Sequence, residues 1–118
     1  MSKYAILIYD DQANYVNATP EAWRAVVDAH VTFRKRVLEF GGSLVGGEAL
    51  APPSTATTIM GGSKVTDGPF IETRKSFNGY YVIEARNPAH ATEIARLCPA
   101  PGGGVEVRLI VDPSTNPF

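Results

Sequence analysis

The spacing of hydrophobic residues changes along the chain, and each spacing predicts a different element. Residues 4–9 form a short apolar, β-branched and aromatic run, which predicts a buried first strand. Thr19-Pro20-Glu21 then supplies an N-cap, a proline at the first helical position and an acid in the first turn. A helix of about six turns is therefore predicted from Pro20 to the Gly41-Gly42 pair, which stops it.

The rest of the chain contains five further runs with the composition of strands and one shorter helix. The predicted strands cover residues 44–50, 54–60, 65–71, 77–85 and 105–111, and the predicted helix runs from 88 to 97. The run at 77–85 is the strongest strand signal and should be central. The runs at 54–60 and 65–71 flank Gly61-Gly62 and predict a hairpin.

This order of elements predicts the fold class. Strand, helix, strands, helix, strand is the order of a ferredoxin-like split βαβ, an α+β fold whose two helices cover one face of an antiparallel sheet. The hairpin is then an insertion between the two halves. A chain of 118 residues without a break in composition predicts one domain, residues 1–118, in which 112–118 form a loose tail.

The face of the sheet without helices predicts a second copy of the chain. In the central strand Phe77, Tyr81 and Ile83 alternate to one side, and Tyr80 and Val82 alternate to the other. Helices on one face would leave the second set in water. A homodimer in which two sheets pack face to face buries that set and leaves clefts for a small-molecule ligand.

Two polar residues interrupt the apolar side of the first helix. His30 and Arg34 are spaced i and i+4 in the middle of the apolar arc, where a guanidinium is costly unless it is paired. One interpretation is structural, with a satisfied core histidine and an arginine that reaches solvent or a carboxylate. The functional interpretation makes His30 a general acid or base, since an imidazole titrates near neutral pH.

A carboxylate partner for His30 has to come from elsewhere, and the candidates are Glu48, Asp67 and Glu106. Asp67-Gly68 is also a favoured turn dipeptide, because both residues tolerate positive φ, so a purely structural role stays open. Pro69 cannot donate to a strand ladder, which makes the turn rigid on its outgoing side. A rigid turn can aim the Asp67 carboxylate.

Binding of an anionic substrate is assigned to Arg34 or Arg108, with Glu106 and Tyr81 beside them. Glu106 and Arg108 share one face of the last strand, and a surface ion pair is the commoner explanation of such a pair. Tyrosines such as Tyr81 are more often core or interface aromatics than proton donors. His90 lies away from the apolar side of the second helix and is predicted to be exposed.

Composition narrows the class of function. The 11 basic and 12 acidic residues are mixed along the chain, so no basic field for nucleic acid is predicted. Cys98 is the only cysteine, which fits a reducing cytoplasm, and no Cys/His spacing suggests a metal site. The N-terminal apolar run is shorter than a signal segment or a membrane span. We therefore expect a cytoplasmic protein without metal, cofactor or membrane partner.

Several separated motifs resemble the DGPF-type members of the YCII-related family. They are Gly46-Gly47-Glu48-Ala49-Leu50-Ala51-Pro52-Pro53, Val65-Thr66-Asp67-Gly68-Pro69-Phe70, Gly79-Tyr80-Tyr81-Val82-Ile83-Glu84-Ala85 and Val105-Glu106-Val107-Arg108. The likeness runs from Lys3 to about Val111. It implies a dimeric ferredoxin-like α/β barrel, a fold shared with small cofactor-independent enzymes.

The resemblance also implies candidate chemistry. In the YciI branch a first-helix histidine, matched by His30, and an aspartate are proposed as a catalytic dyad. The expected aspartate position falls near Glu48, so Glu48 or Asp67 would stand in. Members of the DGPF branch are often encoded beside extracytoplasmic-function sigma factors. The sequence predicts a small enzyme that moves a proton on an organic substrate, or alternatively a ligand-binding or regulatory module without turnover.

Overall fold

The computed structural model describes residues 1–115, and it has the predicted order of strands and longer helices, together with a short helix α1 and a 3-10 turn that were not predicted. The elements are β1 (Ser2–Asp11), α1 (Ala13–Val16), α2 (Pro20–Glu39), β2 (Ser43–Ala49), a 3-10 turn (Pro53–Thr55), β3 (Thr57–Met60), β4 (Lys64–Asp67), β5 (Lys75–Ala85), α3 (Pro88–Ala95) and β6 (Gly104–Leu109). Four strands form an antiparallel sheet in the order β2-β5-β1-β6. The ferredoxin-like α+β fold is confirmed.

The first long helix begins and ends where its signals predict. The Thr19 hydroxyl accepts the backbone N–H of Ala22 at 3.1 Å, and Pro20 is the first helical residue. After Glu39 the chain turns at Gly41, whose φ of +80° favours glycine. This helix therefore has fixed ends, which determine where its side chains lie over the sheet.

The core lies between the sheet and the helices α2 and α3. It contains alternate residues of β1 and β5 together with one stripe from each helix, namely Tyr4, Ile6, Ile8, Phe33, Val37, Tyr81, Ile83, Ala85, Ala91, Ile94, Ala95 and Cys98. Only Phe33 and Val37 of α2 are buried, although its apolar arc is much wider. Part of the remaining arc lies over a cleft instead of the core, and Val31 and Leu38 are exposed.

A β-bulge changes which face of the sheet Phe77 occupies. Ile8 pairs with Gly79, but Tyr9 pairs with Phe77, so Asn78 has no opposite residue in β1. Phe77 therefore shares a face with Tyr9, and their ring centroids are 5.6 Å apart. The prediction that Phe77 and Tyr81 point to the same side was wrong, because strict alternation does not continue through a bulge.

The second face of the sheet has no covering layer among residues 1–115. The molecule measures 42 × 39 × 18 Å, a thickness that fits one sheet and one helix layer. Leu7, Tyr9, Tyr80 and Val82 lie half-buried on this uncovered face. We call it the open face.

The inserted hairpin of β3 and β4 forms a separate two-stranded sheet, here called the arm. Its Ile59 and Val65 are about 60% exposed, and Phe70 and Ile71 beyond it are about 70% exposed. The radius of gyration is 15.8 Å, against about 13.5 Å for a compact domain of this length. The arm thus projects from the fold with its apolar side chains in solvent.

His90 contradicts the prediction that it would be exposed. It is buried, with Nδ1 accepting the Arg86 backbone N–H at 3.0 Å and Nε2 lying 2.6 Å from the Phe40 carbonyl. These contacts fix the proton on Nε2 and connect the start of α3 to the end of α2. The helical pattern missed His90 because its partners are backbone groups, one of them Phe40, which lies 50 positions away in the sequence.

The C-terminal segment begins as a hydrogen-bonded turn. Asp112 Oδ1 accepts the backbone N–H of Ser114 at 2.9 Å and its hydroxyl at 2.7 Å, and these bonds lower the pKa of Asp112. The remainder of the predicted loose tail, residues 116–118, lies outside the described residues. Within residues 1–115, no helix is long and apolar enough to cross a membrane.

Candidate functional site

A cleft of about 670 Å³ lies between α2 and the β2 side of the sheet. Trp23, Val27, His30 and Arg34 of α2 form one wall, and the backbone of β2 with Tyr81 of β5 forms another. Most of this lining is apolar, with a few polar groups, which is typical of small-molecule sites. The N-terminal part of the α2 apolar arc, Trp23, Val26 and Val27, therefore lines this cleft, whereas Val31 and Leu38 are exposed outside it.

His30 and Tyr81 form the central polar contact of the cleft. His30 Nδ1 lies 2.7 Å from the Tyr81 hydroxyl oxygen. The Tyr81 ring also packs against Phe33, with ring centroids 4.9 Å apart, so its orientation is set by the core. His30 is half-buried and Tyr81 is buried. The helix and the central strand thus hold the two side chains in one fixed geometry.

Arg34 lies one helical turn after His30 and acts on both members of this pair. Burial, and after it the positive charge of Arg34, lowers the pKa of His30 from 6.5. Burial raises the pKa of Tyr81, while a hydrogen bond and the charge of Arg34 oppose that rise. At neutral pH His30 is therefore uncharged, Tyr81 keeps its proton, and Arg34 is the cation of the group.

One assignment of the hydrogen-bond roles suits the groups present. A guanidinium only donates, so Arg34 can donate to a lone pair of the Tyr81 oxygen while the phenol proton is shared with His30 Nδ1. In that arrangement the neutral imidazole carries its own proton on Nε2. The cleft then presents the Nε2–H of His30 and the guanidinium of Arg34 as donors, which suits a ligand oxygen that carries negative charge.

Two glycines bring backbone close to this group. A Cβ on Gly47 would lie 2.6 Å from the Tyr80 carbonyl oxygen and 2.7 Å from Tyr81 Cδ1. A Cβ on Gly79 would lie 2.8 Å from the Glu48 carbonyl oxygen. The absence of side chains at both positions lets β2 and β5 approach closely beneath the cleft and leaves room for the Tyr81 ring.

A buried carboxylate at the end of β1 was not predicted as part of the site. Asp10 is fully buried and accepts the Tyr15 hydroxyl at 2.6 Å on Oδ2, and the Asp11 backbone N–H at 2.8 Å on Oδ1. Burial, and then this hydrogen bond, raises the pKa of Tyr15. Tyr15 lines the cleft and packs edge-on to Trp23. The available signal was alternation, because Asp10 continues the buried set of Ile6 and Ile8.

Of the predicted catalytic residues, His30 and Glu48 line the cleft and Asp67 does not. Glu48 belongs to the cleft lining, but it pairs with Tyr80, and residues opposite each other in a sheet share a face. Its side chain therefore projects from the opposite face to Tyr81. Asp67 ends β4 on the exposed arm and is not among the residues that line the cleft.

The turn that follows Asp67 is held by backbone contacts. The Gly68 N–H donates to the Ala56 carbonyl at 2.7 Å, and the Thr58 hydroxyl donates to the Gly68 carbonyl at 2.7 Å. Gly68 has a φ of +101°, which favours glycine. These contacts and the backbone conformation of Gly68 bend the chain at this motif.

Among the predicted binding residues, Arg34 and Tyr81 lie in the cleft, whereas Glu106 and Arg108 lie on the open face. Arg108 Nε donates to Glu106 Oε2 at 2.5 Å, and this bond raises the pKa of Arg108. Their β6 positions are opposite Leu7 and Ala5, which also belong to the open face. The geometry is that of a surface ion pair.

The thiol of Cys98 is poorly suited to act as a nucleophile. Burial raises the pKa of the Cys98 thiol to about 12, so the thiolate that a nucleophile requires does not form at neutral pH. Within residues 1–115, no cluster of three or more His, Cys, Asp or Glu side chains could hold a metal ion.

Comparison with known proteins gives two matches. The family model of the YCII-related domain matches residues 2–114. An uncharacterised protein of Rhizobium meliloti (strain 1021) is 30% identical over 101 residues, which cover 79% of this chain and 77% of that protein. The family model spans the strands and the helix that form the cleft.

Proposed function

The chain belongs to the YCII-related family, and we propose that its cleft binds a small organic anion and that His30 exchanges a proton with it. The observation that carries this proposal is the 2.7 Å contact between His30 and Tyr81 beside Arg34. Arg34 and the Nε2–H of His30 would hold an anionic oxygen of the ligand. The apolar residues around them would bury its carbon skeleton.

The proton-transfer step uses the His30–Tyr81 pair as a relay. When a solvent base takes a proton from the carbon beside a carbonyl of the ligand, negative charge develops on the carbonyl oxygen. His30 then donates its Nε2 proton to that oxygen and takes the Tyr81 proton at Nδ1. The charge of Arg34 stabilises the phenolate that remains. In this arrangement Tyr81 has the place that the sequence assigned to Asp67 or Glu48.

A second candidate function is binding without turnover. The identity of the His30 partner favours this function. Tyr81 is a phenol, and a phenol polarises an imidazole less than a carboxylate does. A module of this kind would fit the regulatory setting that the DGPF motif suggests. Membership of the DGPF branch stays a prediction, supported by the sequence of residues 67–70. A cytoplasmic location also stays a prediction, supported by the buried free thiol of Cys98.

The test of the binding step is the affinity for butanoate, measured by isothermal titration calorimetry. Arg34→Met keeps most of the side-chain length and removes the charge, so we expect affinity to fall about 10- to 100-fold, as for the loss of a charge-assisted hydrogen bond. Arg36→Met on the same helix is the control, because Arg36 does not line the cleft. Equal affinity of both variants and the parent would exclude Arg34 as the anion site.

We also propose that two copies associate through the open face. The apolar Leu7, Tyr9, Tyr80 and Val82 support this, and the area of the 42 × 39 Å molecule exceeds the roughly 800 Å² that each partner of a standard interface contributes. The exposed arm would pack against the second copy. Such a dimer would also allow Asp67, on the arm of one copy, to approach the cleft of the other copy.

The dimer is tested by sedimentation velocity at micromolar concentration. The parent should sediment as a dimer, and Val82→Asp should sediment as a folded monomer, because a carboxylate in the centre of an apolar interface has no partner. Thr32→Asp, on the exposed side of α2, should leave the dimer intact. A monomeric parent would overturn the proposal.

A further inference from the structure

A second cavity lies beside the cleft, and the two share a wall. Tyr15, Val26 and His30 line both cavities. The second cavity, here called the side chamber, is a depression open to solvent, since Ala25, Ala29 and Pro101 in its lining are exposed. It has a volume of about 410 Å³, compared with about 670 Å³ for the cleft. One of the shared residues is His30, whose imidazole would contact the ligand.

The side chamber has an apolar lining. Its other walls are Ala25 and Ala29 of α2 and the segment Pro99-Ala100-Pro101 after α3. None of its eight lining residues is an acid, a lysine or an arginine. The Tyr15 hydroxyl donates to buried Asp10, so its hydrogen bond is already used. Water in this chamber has few polar partners, and an apolar group gains by displacing it.

The cleft supplies a positively charged contact next to this apolar space. Arg34 lines the cleft and does not line the side chamber, so the cationic end of the site is on the cleft side. His30 lies at the boundary between the two. A molecule held at Arg34 and His30 by an anionic group would therefore meet an apolar chamber directly beyond the imidazole.

We propose that the natural ligand is an organic acid with a linear apolar tail, and that the side chamber receives the tail while Arg34 and His30 hold the carboxylate. The small side chains at Ala25, Ala29 and Ala100 leave the space that the tail fills. This inference rests on the proposed function, since the carboxylate end is the same. It adds that tail length determines affinity.

The test uses straight-chain monocarboxylates of four, six, eight and ten carbons, titrated into the protein by calorimetry. For the parent we expect affinity to rise about fourfold per added methylene while the chain enters the side chamber. Ala29→Phe places a ring in the chamber from an exposed helix position that does not line the cleft. It should weaken decanoate binding at least tenfold and leave butanoate binding unchanged.

The matched control is Thr32→Phe, which adds the same ring to α2 outside both cavities and should bind all four acids as the parent does. Thermal unfolding of both variants verifies that they fold. If butanoate binds through Arg34 but affinity does not change with chain length, or Ala29→Phe weakens all four acids equally, the side chamber is not the tail site. If Arg34→Met binds every acid as the parent does, the proposed function itself fails.

Discussion

His30→Ala is expected to slow proton transfer on a bound substrate by at least about 100-fold, the lower end of the range for removal of a general acid or base. The reason is geometric, because His30 is the group that connects the Tyr81 proton to the cleft. The measurement is incorporation of solvent deuterium beside the carbonyl of 2-oxo carboxylates, followed by NMR. These probes combine an anionic group for Arg34 with an oxygen that gains charge when a proton leaves.

Two controls separate chemistry from binding. Tyr81→Phe keeps the ring that packs on Phe33 and removes only the hydroxyl, so it should slow exchange while the protein remains folded. Butanoate titration of His30→Ala shows whether the anion site at Arg34 is intact. If the parent exchanges deuterium and folded His30→Ala does so at the same rate, His30 has no role in proton transfer. If the parent binds the acids without exchange, the module without turnover is the function.

The pKa of His30 gives a further test that needs no substrate. Its pKa is lower in the folded protein than the value of 6.5 expected in the unfolded chain, so the unfolded state binds the proton more tightly. The resulting contribution to stability is complete above pH 6.5 and is lost as pH falls through 6.5 towards the folded-state pKa. In His30→Ala, this part of the acid-side loss of stability should disappear in denaturant titrations at a series of pH values.

The fold could be predicted from the sequence because its signals are local. Thr19 and Pro20 start α2, Gly41 ends it, and the β-branched and aromatic runs mark the strands. The position of His30 and Arg34 on one helix face follows from the i, i+4 spacing alone. Both residues line a common cleft, where Arg34 lies beside Tyr81.

The partner of His30 could not be predicted, because it depends on the strand register of the sheet and on how α2 packs against it. His30 and Tyr81 are 51 positions apart, and they meet only when α2 crosses the sheet at one particular place. The sequence-based prediction considered only charged carboxylates as partners of His30, whereas the observed partner is the phenol of Tyr81. The bulge opposite Tyr9 reversed the face of Phe77 for a similar reason, since one unpaired residue shifts the alternation.

Gly47→Ala is expected to destabilise the protein by about 1–3 kcal/mol, the usual cost of inserting a methyl group into filled space. The new Cβ would lie 2.6 Å from the Tyr80 carbonyl oxygen and 3.1 Å from Tyr81 Cα, which are backbone atoms of the central strand. These atoms cannot retreat without disturbing the pairing of β2 with β5. Urea or thermal unfolding, monitored by circular dichroism, measures the loss.

Gly46→Ala is the matched control, because the same methyl group one residue earlier in β2 would meet nothing within 4 Å. It should change stability by less than about 0.5 kcal/mol, as surface substitutions do. Gly47→Ala should also push the Tyr81 ring away from His30, since the nearest ring atom, Cδ1, would be only 2.7 Å from the new methyl group. Butanoate affinity should therefore fall in Gly47→Ala and stay at the parent value in Gly46→Ala. Equal stability and equal affinity of the two variants would mean that β2 does not set the position of Tyr81, and the 2.7 Å contact with His30 would need another support.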